Sequence, residues 1–98
     1  MKLYVSPEAE NDLDEIEQYI GADDPVAAIN FVKLLTERFT QLTDNPGIGH
    51  KRDYLMAGLR SIVEGNYLIF YRQKKAAIEV IRVLHGARNV ENIFHSIQ

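Results

Sequence analysis

A chain of 98 residues, 46% hydrophobic and 26% charged, is an ordinary globular composition and fits a single domain, residues 1–98. It can hide roughly 60–65% of its unfolded surface, enough for one core but not for a cofactor domain beside a deep substrate cavity, so no cofactor is expected. The net charge is −3 and cysteine is absent, which excludes a disulfide framework and a thiolate zinc site; with no run near the ~20 apolar residues of a membrane span and no basic-then-apolar leader, a cytoplasmic protein without a membrane partner is expected.

Lys2–Val5 predicts a short strand, stopped by Ser6-Pro7. Ser6 is a good N-cap, Pro7 suits the first helical position, and Glu8 and Glu10 sit where the helix dipole favours negative charge. Ala9, Leu13, Ile16 and Ile20 then recur at spacings of four, three and four, one apolar helical stripe that Gly21 closes. Residues 1–24 carry eight carboxylates against Lys2 alone, a balance of −7, while the remaining residues balance at +4. The acidic run reads as the solvated face of this helix, with the pairs Asp12/Glu15 and Glu10/Asp14 serving solubility and the dipole rather than acid–base chemistry.

Asp23-Asp24-Pro25 repeats the start signal. The second helix should run from Pro25 to about Thr43 and bury Ala28, Phe31, Val32, Leu35, Phe39 and Leu42. Asn45-Pro46-Gly47-Ile48-Gly49 stops it, and the two helices should pack as an antiparallel hairpin. His50-Lys51-Arg52 reads as a solvated loop.

Leu59–Val63 and Tyr67–Arg72 are β-rich runs around Glu64-Gly65-Asn66, a hairpin signal. Tyr67–Tyr71 is apolar on both faces, which predicts a central strand. Gln73–Ala76 forms the next turn and Ile78–Leu84 the last strong strand. There the apolar phase slips across Ile81 and Arg82, so this strand is either covered on both faces or bulged near Ile81. Gly86 ends it, and Asn89–Ile97 predicts a short helix carrying Ile93, Phe94 and Ile97. The result is an α+β fold, β-αα-βββ, with a helical hairpin on a small antiparallel sheet.

His50, His85 and His95 lack the spacing of a metal ligand set, and Ser6, Ser61 and Ser96 lie in no nucleophile elbow. No metal site is expected. Arg60, Arg72, Arg82 and Arg88 come from neighbouring strands and their ends, with His85 between the last two. Converged guanidinium groups would suit phosphates or an acidic protein surface. The plainer alternative pairs each with Glu64, Glu79 or the N-terminal acids.

Ala9, Asp12-Leu13, Ile16, Tyr19-Ile20, Phe39, Leu42, Pro46, Gly49, Gly58-Leu59-Arg60, Tyr67 and Ile69-Phe70-Tyr71-Arg72, with Arg82-Val83-Leu84-His85-Gly86-Ala87-Arg88, together resemble the ParE/RelE toxin superfamily, and the last two runs resemble its ParE branch. The resemblance implies a plasmid-stabilising toxin neutralised by a cognate, ParD-like antitoxin. ParE-type members poison DNA gyrase; for that role Arg72, Arg82, His85 and Arg88 are the candidate target contacts. RelE-type relatives cut mRNA on the ribosome, and Arg60, Arg82 and His85 would be the catalytic candidates for that. Those nucleases often carry an arginine after the middle-strand tyrosine, where this chain has Leu68 after Tyr67. Toxins of this superfamily are usually basic, whereas the sequence pI here is near 5.5. Both departures favour a protein target over direct sequence-specific nucleic-acid binding, and they leave room for a non-toxic relative that only binds antitoxin. Antitoxins of this kind order a disordered segment over the helical hairpin and a sheet edge, with Tyr19 and Leu34 as exposed candidates for cover.

Overall fold

The computed structural model describes residues 1–97, Ile97 by its backbone alone. The elements are β1 (Lys2–Val5), α1 (Pro7–Gly21), α2 (Pro25–Asp44), β2 (His50–Lys51), β3 (Leu59–Glu64), β4 (Tyr67–Lys74), β5 (Ala77–His85) and α3 (Val90–Ile97). Both long helices begin as their sequences direct. The Ser6 hydroxyl accepts the Ala9 N–H at 3.0 Å, and the Asp24 carboxylate accepts that of Ala27 at 3.1 Å.

The five strands lie in the order β1-β5-β4-β3-β2, so β4 is central, as its two apolar faces predict. The sheet is mixed rather than wholly antiparallel, because β1 runs parallel to β5. Antiparallel pairing is natural to strands joined by tight turns, whereas β1 and β5 are far apart in the chain and the intervening elements let them align head to head. The expected loop at His50-Lys51 instead pairs with Ser61 and Arg60 of β3 as a two-residue edge strand.

Both alternatives for β5 hold together. Phe70 pairs with Arg82 and Tyr71 with Val80, which leaves Ile81 unopposed as a bulge. The strand is also covered on both faces. Ile78, Val80 and Val83 join Ile16, Leu35 and Phe39 under the helical hairpin, while Ile81 and Leu84 join Phe70, Leu59 and Phe94 beneath α3. The extra residue lets one strand feed two cores. The Ile97 side chain, expected in the second of these, lies outside the described residues.

Two turns show what the backbone demands. β3–β4 and β4–β5 are both closed by two residues, and the first has positive φ in each: Gly65 at 58° and Lys75 at 57°. Glycine adopts that region freely and lysine does not. Lys75→Gly is therefore expected to raise stability by about 0.5–1 kcal/mol, read as a higher urea midpoint at unchanged slope.

Gly49 answers a close approach instead. A methyl group on it would lie 2.6 Å from the Tyr71 hydroxyl and 3.0 Å from the Ser61 carbonyl oxygen. That hydroxyl accepts the Gly49 N–H and donates to the Pro46 carbonyl, both at 2.8 Å, so it clips the loop after α2 onto the sheet. Gly49→Ala should cost about 1–3 kcal/mol by overpacking and loss of this clip, whereas Gly47→Ala, with open space around it, should be nearly silent in the same melt.

Candidate functional site

The site grows from the outer edge of β5. β1 pairs with β5 only as far as Val80, and beyond that α1 takes its place. The Ser6 N–H donates to the Val80 carbonyl at 2.9 Å and its hydroxyl to that of Ile81 at 2.7 Å. Farther along α1, the Asp12 carboxylate accepts the Val83 N–H at 2.9 Å, serving the edge as a neighbouring strand's carbonyl would. The same carboxylate receives Arg82 side-on, Nε to Oδ2 and Nη2 to Oδ1, both at 2.8 Å.

Asp12 therefore departs from the solvated role expected of the acidic run: it is 4% exposed. The signal was present, because position 12 is three after Ala9 and four before Ile16, on the apolar stripe itself. Arg82 is the partner that makes its burial tolerable. The hydrogen bonds that Arg82 donates to Asp12 hold the guanidinium proton more tightly than usual, burial opposes this, and the charges of Asp12, Glu8 and Glu15 add to it.

A cleft of about 310 Å³ opens beside this pair, between α1 and the ends of β4 and β5. It is lined by Asp12, Glu15, Ile16, Tyr19, Tyr67, Val83, His85 and Arg88. His85 stands edge-on to Tyr67, ring centroids 5.3 Å apart, and Phe31 packs on Tyr67 at 5.6 Å. The His85 Nδ1 accepts the Ala87 N–H at 3.0 Å, which places the proton of a neutral ring on Nε2. The Arg88 N–H is tied to the His85 carbonyl at 3.0 Å, while its side chain is exposed.

The sequence candidates therefore divide. Tyr19, His85 and Arg88 meet at this cleft, with Arg82 behind it on Asp12. Arg72 instead donates to Glu79 at 2.8 Å. Arg60 donates to the carbonyls of Gly47 and Gly49, at 3.2 and 2.8 Å, so it braces the loop that Tyr71 clips. Arg60, Arg82 and His85 are thus not gathered on one surface. Leu34 is 41% exposed on α2, and Tyr19 77% exposed on α1. Glu15 and Tyr67 also line the cleft; Tyr67 stands among the residues of the family resemblance and Glu15 in the acidic run, but neither was a site candidate. Among the described residues no three His, Cys, Asp or Glu side chains form a set that could hold a metal ion, and no helix is long and apolar enough to cross a membrane.

Two tyrosines carry a pH signature. Burial pushes up the Tyr71 hydroxyl, against the opposing effects of the Gly49 N–H and Arg60. Burial, then Tyr19, pushes up Tyr67. A raised phenol loses its proton more readily unfolded than folded, so its contribution is present below the ordinary tyrosine value of about 10 and is lost as pH rises past it. Urea midpoints should therefore fall above pH ~10, and Tyr71→Phe should show a shallower fall there.

Residues 3–90 match the family described as the ParE toxin of the type II toxin-antitoxin system parDE. Toxin ParE1 of Caulobacter vibrioides is 34% identical over 94 residues, covering 91% of this chain and 94% of that protein. A solved structure of the chromosomal ParDE TA system from P. aeruginosa superposes with a TM-score of 0.75 at 23% identity, over 87% of this chain and 95% of that one. The last of these speaks for the fold; the other two, spanning the hairpin, the sheet and the cleft residues alike, establish that this chain belongs to the ParE toxin family of type II toxin–antitoxin systems.

Proposed function

We propose that this toxin inhibits DNA gyrase by direct protein contact, without catalysis, and is neutralised by a cognate ParD-like antitoxin. The target follows from the resemblance to the ParE branch. The observation that carries the choice over mRNA cleavage is the engagement of the arginines. Both Arg82 donors in contact with Asp12 sit at 2.8 Å, and Arg60 is spent on two loop carbonyls. A guanidinium so held is a poor stabiliser for a phosphoryl transition state, which needs donors aimed at the developing charge.

His85 and Arg88 would then make the target contacts at the cleft rim and Arg82 would hold its edge through Asp12, while Arg72, paired with Glu79 toward the other end of the sheet, would be a separate contact. Tyr19 and Leu34 are the apolar groups an antitoxin would cover as it orders on the hairpin. The action proposed is cytoplasmic, where a toxin and its antitoxin together would stabilise the plasmid or locus that encodes them.

Purified protein should block supercoiling by gyrase and accumulate cleaved DNA, and Arg88→Ala should weaken both. No inhibition at large molar excess would refute the proposal. Toeprinting of ribosome-bound mRNA should show no new cuts; cuts within codons would replace gyrase with the ribosome. Induced expression without antitoxin should arrest growth, and unimpaired growth would point instead to a relative that has kept only antitoxin binding.

A further inference from the structure

At the far end of the sheet, pairing brings two lysines to either side of one alanine. Lys2 of β1 is the register partner of Ala77 in β5, and Lys74 of β4 is its partner on the other side. Side chains directly opposite across neighbouring strands share a face, and strands ~4.8 Å apart place the two lysine backbones about 10 Å from each other. The next row on that face is Tyr4, Glu79 and Arg72. Lys75 follows in the turn at φ 57°, and the Lys2 N–H donates to the Ala76 carbonyl at 3.0 Å, which fastens β1 to that turn.

All of these residues but Arg72 line a cleft of about 350 Å³, a volume within the small-ligand range. Its chemistry is one-sided. Among the described residues Glu79 is the only carboxylate on its wall, and it is committed to Arg72 at 2.8 Å. Among the described residues no carboxylate lies within 4.0 Å of any of the three ammonium groups. The chain is acidic overall, so counter-charges are plentiful, yet among the described residues Glu79 alone is placed here and Arg72 already holds it. The floor is the Ala77 methyl, and the Tyr4 ring, 54% exposed, forms a side wall.

We propose that this cleft binds the phosphates of a nucleotide, with the base against Tyr4. Several ammonium groups spread over this span suit more than one phosphate, and an aromatic wall over a methyl floor suits a base, whose stacking is tolerant of sequence. The same chemistry is offered by a free nucleoside polyphosphate and by a single-stranded nucleic acid. The site shares no residue with the α1–β5 cleft, and the proposal stands independently of the gyrase reading.

The test is a titration of the full-length, isotopically labelled chain followed by amide NMR shifts, with ATP, adenosine, inorganic tripolyphosphate and a short thymidine oligonucleotide as probes. ATP or the oligonucleotide should shift amides of residues 2–4 and 74–79, and adenosine should not. Lys74→Ala should weaken binding about tenfold, one charge-assisted contact's worth. Lys75→Gly should weaken it as well while its melting temperature does not fall, which separates lost binding from lost folding. Tyr4→Ala should bring ATP down to the affinity of tripolyphosphate. Tighter binding of the oligonucleotide assigns a nucleic-acid strand as the source, and tighter binding of ATP a free nucleotide. No response of these amides to millimolar ATP or to the oligonucleotide, or affinities unchanged in both lysine variants, would overturn the proposal.

Discussion

Asp12→Ala is expected to destabilise the protein by about 3–5 kcal/mol, the range for removing one partner of a buried ion pair. The substitution strands two groups together. The Arg82 side chain, 16% exposed, keeps its charge in a site that solvent barely reaches, and the Val83 N–H loses its acceptor at an edge that β1 does not cover. Asp12→Asn should cost less, because an amide oxygen can still accept from Val83 while its NH2 offers Arg82 nothing. The informative variant is the double one. Asp12→Leu with Arg82→Met removes both charges, and apolar replacements of similar size are often neutral or better in such sites. A double-mutant cycle in urea should then show a coupling of about 1–3 kcal/mol between the two positions. Two single losses that simply add would show that the pair is held together by the fold rather than holding it.

The same cycle bears on activity. If Arg82 touches the target, the double variant should fold and fail to inhibit gyrase. If Arg82 works through the edge it shapes, the double variant should keep most inhibition, while Arg88→Ala, at an exposed residue of the cleft rim, loses it.

The local elements were readable because each carries its own signal. Ser6-Pro7 and Asp24-Pro25 mark helix starts by satisfying orphan N–H groups, and the period of Ala9, Leu13 and Ile16 marks a buried face. The slipped phase at Ile81 announced the bulge because alternation in a strand is strict and a one-residue shift must show. Pairings between distant segments left no such mark. Four residues at Lys2–Val5 cannot specify which strand they meet or in which direction, so the parallel edge was not legible, and two residues at His50-Lys51 are too few to read as a strand. The site shows the same divide. Tyr19, His85 and Arg88 could be nominated by type and exposure, but the partner of Arg82 lies 70 positions away. Asp12 was misplaced for a different reason, since its acidic neighbours outweighed its position on the apolar stripe.

Phe94→Ala is the second large effect, at about 3 kcal/mol or somewhat more. The ring is fully buried, meets Phe70 edge-on at 4.9 Å, and packs among Leu55, Leu59, Ile81 and Leu84. An eight-residue helix has little stability of its own, so α3 persists because Val90, Ile93 and Phe94, at spacings of three and one, hold it to the sheet. Removing the ring leaves two outcomes. A docked helix over a cavity would bear the full cost of a deleted aromatic, while a released helix caps that cost and uncovers Phe70, Ile81 and Leu84. Release is expected, because an eight-residue helix that loses its most deeply buried anchor keeps too little contact to stay ordered, and the hairpin core lies on the opposite face of the sheet. Hydrogen exchange should then show amides 90–97 unprotected while β4 and β5 stay protected, with dye binding to the bared face. Asn89→Ala, which removes the acceptor for the Asn92 N–H at 3.1 Å, should cost only about 1 kcal/mol and leave the helix docked. Uniform loss of protection across the sheet in Phe94→Ala would mean instead that the two cores on either side of β5 melt as one unit.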